Sequence, residues 1–252
     1  MVENPFSRMF KKPDTLTSEH LEKDSPPIMV QIIDSQQTLD TITEEAIRTI
    51  KKSGEDVNWE KFWNQVVIED DQERRYALEN AYLISSISAQ NKYSEKYIDC
   101  TGVLAVGKSK ESGENISFLS HQISSGNFPK SFPKKLELKI TELKQKVLKG
   151  SIDIVVFGGD YSHQKEKNTL YTPAEEYAVA IRKTSETIRK AAGFDPVVIA
   201  GPNLNLGTHT HAYFDNTNRR LYIVRPTQRE SLTNAAYRPK DIKKVSKDWS
   251  NQ

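Results

Sequence analysis

The 252-residue chain holds a single cysteine, Cys100. No intramolecular disulfide can form, and four-Cys or Cys/His zinc frameworks are excluded. A lone cysteine fits a reducing compartment without requiring one. No run reaches the roughly 18 apolar residues of a membrane span. The N-terminal segment MVENPFSRMFKKPDTL is basic but has no continuous apolar stretch, so it does not read as a Sec signal. The expected location is therefore cytoplasmic, or outside the cell as an effector exported without such a signal. Charge of one sign is lacking too: 36 basic and 34 acidic residues leave a net +2, which draws the whole protein to neither nucleic acid nor an acidic membrane. There is no internal repeat, low-complexity tract or GxGxxG.

What is present fits a core with polar ends. Residues 1–27, closing on Ser25-Pro26-Pro27, read as a flexible tail. Residues 28–90 read as a helical extension, with helices expected across 38–90. Asn58 is the expected N-cap for a face of Trp59, Phe62, Trp63 and Val66. Asp70 and Asp71 can start another helix bearing Ala77, Ala81, Ile84 and Ser88. Residues 91–228 read as a catalytic core. Thr101–Val106 and Ile116–His121 are short apolar runs separated by a polar turn, a candidate hairpin. Pro133–Lys149 has a helical stripe of Leu136, Ile140, Leu143 and Val147, with Gly150 following as the C′ residue. Ile152–Phe157 is a strand entering Gly158-Gly159. Thr172-Pro173-Ala174-Glu175 is a capping box opening a helix to Ala192. Strands are expected at Pro196–Ala200, His209–Phe214 and Arg220–Val224, and residues 229–252 form a polar, basic tail. This order predicts an α/β (α+β) fold, a mixed β-sandwich flanked by helices.

Four chemistries can be weighed on that frame. Cys100 opens one strand and His121 ends the next, so a hairpin brings both to one edge of the sheet. A thiolate is a strong nucleophile and an adjacent imidazole can take its proton. The plainer reading of such a pair is a small buried hydrophobe beside an unrelated histidine. His209 and His211 point the same way in a strand and could share a metal with His163 or Asp160, or simply line a solvated face. Gly158-Gly159-Asp160 ends a strand, but no Lys-Ser/Thr follows, so the glycines read as a sharp turn or a close backbone approach. Asp153, Glu175 and Glu176 could be proposed as paired carboxylates, although Glu175 already has a capping role.

The order Cys100, apolar strand, polar turn, strand, His121 resembles the chemotaxis receptor glutamine deamidases of the CheD family. It is also similar to the catalytic domains of cytotoxic necrotizing factor and Burkholderia lethal factor. Val155-Val-Phe-Gly-Gly-Asp160, the Pro173–Ala192 helix and the two closing strands at 207–224 agree with that pattern. The resemblance implies Cys100 as nucleophile, His121 as base and Ser94, six positions before the cysteine, where the family commonly has Thr. It implies hydrolysis of a glutamine side chain on a partner protein. Transglutamination would follow if an amine replaced water. No metal or cofactor is implied, and the protein is expected to be monomeric and toxin- or effector-like. Asp99 stands where the family often has Gly or Ser, and a carboxylate there raises the neighbouring thiol pKa unless it points away. Beside the deamidase and a metal-dependent enzyme built on His209, His211 and His163, the remaining alternative is a non-catalytic interaction protein on the same fold.

Overall fold

The computed structural model describes residues 26–34, 39–58, 81–97, 100–124, 129–159, 174–201 and 210–225. The strands are β1 (Met29–Asp34), β2 (Glu55–Asp56), β3 (Tyr82–Ile84), β4 (Lys92–Tyr97), β5 (Cys100–Lys108), β6 (Asn115–Ile123), β7 (Asp153–Gly158), β8 (Val197–Ile199), β9 (Thr210–Asp215) and β10 (Arg220–Arg225). The helices are α1 (Thr41–Ser53), α2 (Phe132–Lys146) and α3 (Ala174–Ala192). Two five-stranded mixed sheets pack face to face. One has the order β1-β10-β9-β4-β2 and the other β3-β6-β5-β7-β8.

Alternation along the strands explains the layering. On β5, Cys100, Leu104 and Val106 face the first sheet and meet Ala212, Phe214, Leu221 and Ile223 in one buried cluster. Val103 and Ala105 face the other way, onto Phe132, Leu136, Ile140 and Leu143 of α2 and Ile188 of α3. Both faces of β5 are therefore covered, which is why its sequence reads as an unbroken apolar run. On the outer face of the first sheet, Ile50 of α1 packs with Ile33, Tyr213 and Tyr222. Asp40 caps α1 by accepting from the Thr43 N–H at 2.7 Å, which holds its carboxyl below the usual range. Among the described residues no helix is long and apolar enough to cross a membrane.

The helical reading of residues 28–90 needs correction. Only α1 is helical there among the described residues, and β1, β2 and β3 are strands of the two sheets. Met29–Asp34 pairs in parallel with β10 through all six residues. Ala81, Ile84 and Ser88 do not share a helix side: Ile84 lies in β3 opposite Ser120, and Ser88 bridges Ser117. Helix α2 stops at Lys146 and not at Lys149, because Val147 turns extended and bridges Ser109. Gly150 supplies its positive φ of 80° to the following turn. The helix expected after Asn58, the first part of the one expected after Asp70, the Thr172-Pro173 cap, residues 1–25 and residues 229–252 lie outside the described residues.

Candidate active site

Cys100 is the first residue of β5 and is 2 % exposed. The β5–β6 register pairs it with Ile123, and pairs Thr101 with Gln122 and Leu104 with Leu119. His121 therefore falls across from Gly102, on the same inter-sheet face as Cys100 and one diagonal step away. Such diagonal neighbours sit roughly 7–8 Å apart, somewhat less at Cβ.

Ser94 comes from the other sheet. It lies in β4 opposite Ala212, and its Oγ is 2.8 Å from His121 Nδ1. The same hydroxyl donates to the Val57 carbonyl at 2.6 Å. A serine has one proton to give, so toward the imidazole it can only accept. Nδ1 carries the ring hydrogen and Nε2 carries the lone pair, which is the tautomer a proton acceptor needs. Burial removes water from the ring and holds its pKa down to about 3, so the imidazole is neutral near pH 7.

One face of the imidazole is also covered by an aromatic ring. Tyr97 stacks on it with centroids 3.9 Å apart and planes 13° apart, and Phe157 meets Tyr97 edge-on. Ser94 and Tyr97 are three residues apart, yet both face the inter-sheet space. A bulge makes this possible: the β4–β9 register shifts by one between them, and Lys96 takes φ 63°. A left-handed non-glycine residue costs about 1–2 kcal/mol. Lys96→Gly should recover part of that cost, read as a rise of at most about 1 kcal/mol in unfolding free energy once glycine's extra chain entropy is subtracted.

The glycines at the end of β7 do what a close approach requires. A Cβ on Gly158 would overlap the Tyr177 hydroxyl, and one on Gly159 would overlap the Tyr97 carbonyl. The bare Gly159 backbone instead donates to the Cys100 carbonyl at 2.7 Å, tying the start of β5 to the end of β7.

Of the other candidate residues, some are placed away from this site and the rest lie outside the described residues. His211 lies on the outer face of the first sheet, stacked at 6.4 Å on Tyr213, while its neighbour Ala212 faces inward. His163, His209, Asp160 and Asp99 lie outside the described residues. Among the described residues no group of three His, Cys, Asp or Glu is placed to hold a metal. Asp153 pairs with Arg219 at 2.7 Å. Two contributors to the site were missed in the sequence. Val57 acts through a backbone carbonyl, which leaves no residue-type signal. Tyr97 stands three before Cys100, but regular alternation from Ser94 would turn it to the opposite face.

Removing the Ser94 hydroxyl would leave two buried polar groups, the Val57 carbonyl and His121 Nδ1–H, without this partner. Ser94→Ala is expected to cost about 1–3 kcal/mol in urea unfolding, whereas Ser94→Thr, which keeps the hydroxyl, should cost less. Compared with known proteins, the chain matches no family model and no curated protein.

Proposed function

We propose that the chain is a cysteine amidohydrolase acting on glutamine side chains of other proteins. Cys100 is the nucleophile, His121 the base and Ser94 the group that orients the imidazole. The observation that carries this reading is the buried Ser94–His121 hydrogen bond. With the Ser94 proton spent on Val57, it fixes the ring in the proton-accepting tautomer on the face that Cys100 shares. The resemblance to glutamine deamidases names the same three residues.

In the proposed reaction His121 Nε2 takes the Cys100 thiol proton and the thiolate attacks the carboxamide carbon. The tetrahedral intermediate collapses, the C–N bond breaks, and the imidazolium gives its proton to the departing ammonia. His121 then deprotonates a water that attacks the thioester, and glutamate and the thiol are released. An amine in place of that water gives a crosslink. The residues in these roles need no metal or cofactor.

The burial of Cys100 at 2 % exposure favours one second reading, a non-catalytic interaction protein on the same fold. Two measurements separate the readings. Ammonia release from glutamine-bearing proteins should depend on Cys100 and be absent in Cys100→Ser. The wild-type thiol should also be alkylated by iodoacetamide near pH 7 faster than in His121→Asn. A thiol equally slow in both proteins, with no ammonia, supports the non-catalytic reading.

A further inference from the structure

Tyr97 does more at this site than fill space. The bulge at Lys96 turns its side chain inward, and Gly102 makes room for it: a Cβ there would come within 2.9 Å of Tyr97 Cε1 and 2.4 Å of Phe157 Cζ. Its ring lies over the His121 imidazole. Its hydroxyl donates to the Ser120 carbonyl at 3.0 Å, the peptide oxygen immediately before His121. At this point the β5–β6 ladder is rearranged. Val103 N–H donates to the Ser120 hydroxyl at 2.9 Å, that hydroxyl donates to Gln122 Oε1, and the Gln122 amide donates to Thr101. The phenol thus holds the backbone from which the imidazole hangs, while its ring fixes the plane in which the imidazole lies. Ser94, on the same strand, grips the ring edge.

We propose that Tyr97 is a positioning residue for His121, a two-point clamp that sets the imidazole plane through its ring and the His121 backbone through its hydroxyl. The inference deepens the amidohydrolase reading and rests on it for its kinetic consequence, but the clamp itself can be observed without catalysis.

The test compares wild type, Tyr97→Phe and Tyr97→Leu by three measurements. These are kcat and KM for amide hydrolysis, imidazole NMR of His121 with His211 as an internal control, and urea unfolding. Tyr97→Phe keeps the ring and removes only the hydroxyl. It is expected to fold, to keep KM within about twofold and to lose about tenfold in kcat, because small misplacements of a reacting group are costly. Its His121 ring signals should broaden or shift while those of His211 stay put. Tyr97→Leu should go further, with mixed His121 tautomers and a titration point moving up toward the ordinary value as water reaches the ring.

A role in packing alone predicts lower urea midpoints, but kcat per folded molecule and His121 ring signals like those of wild type. That result in Tyr97→Phe overturns the inference, and Tyr97→Phe carries the test even if Tyr97→Leu does not fold. If wild type releases no ammonia from any protein, the NMR comparison alone decides. Perturbed His121 signals then support the clamp while the amidohydrolase reading falls, and unperturbed signals overturn the clamp.

Discussion

His121→Asn is expected to lower kcat for amide hydrolysis by about 10²- to 10⁴-fold, the usual contribution of a positioned acid–base group, while making the folded state less sensitive to acid. The two effects share one cause. Water is excluded from the ring, and this holds its folded-state pKa down to about 3, against 6.5 for an exposed histidine. Between those values the unfolded chain binds a proton that the folded chain refuses. The stability present above about pH 6.5 is therefore lost as pH falls toward 3, by up to about 1.4 kcal/mol for each pH unit. Asparagine cannot take up that proton, so this part of the acid slope should disappear. Urea unfolding of both proteins at several pH values between 4 and 8 reads the slope, and ammonia release reads the kinetics. A variant with unchanged acid slope would mean that water reaches the ring in solution.

Arg219→Ala carries the largest expected loss of stability. Arg219 is 2 % exposed in the turn between β9 and β10. Its guanidinium donates to Asp153 Oδ2 at 2.7 Å and to the Ser151 carbonyl and Asn115 Oδ1 at 3.0 Å. One side chain of the first sheet thereby holds the starts of β6 and β7 in the second. Breaking a buried ion pair by removing one partner costs about 3–5 kcal/mol. The Asp153 side chain keeps 16 % exposure, which places the expectation near the lower end. Against a total of about 5–15 kcal/mol for a domain that is a large fraction. The urea midpoint should fall with little change in slope. Arg219→Lys should recover only part of the loss, since an ammonium cannot match the guanidinium's fork of donors. A loss within about 0.5 kcal/mol would show that the two sheets are held by apolar packing alone.

Which parts of the fold the sequence revealed follows from how each strand is covered. Strands β5, β7 and β10 are buried on one or both faces and carry runs of Val, Ile, Leu and Phe, so residue pattern alone located them. Strand β4 was invisible because its inward residues are Lys92, Ser94 and Tyr97, two of them polar, and the Lys96 bulge breaks the period of two. Lys92 is buried in that strand only because Glu55 and Ser88 both meet its ammonium at 2.6 Å, a pairing that no local pattern announces. Strand β1 has an apolar stretch, but it pairs with β10 near the other end of the chain, and that partnership has no local signature. The candidate site divides in the same way. A hairpin from pattern sufficed to put Cys100 and His121 on one edge. Ser94 was named by resemblance, and its contact with His121 depends on a strand from the opposite sheet. Tyr97 needed the bulge.

The most direct measurement is mass spectrometry of a proteome incubated with wild-type protein or with Cys100→Ser. The account predicts particular glutamines converted to glutamate by wild type, none by Cys100→Ser, and few by His121→Asn. A proteome with no conversion that depends on Cys100 would contradict it.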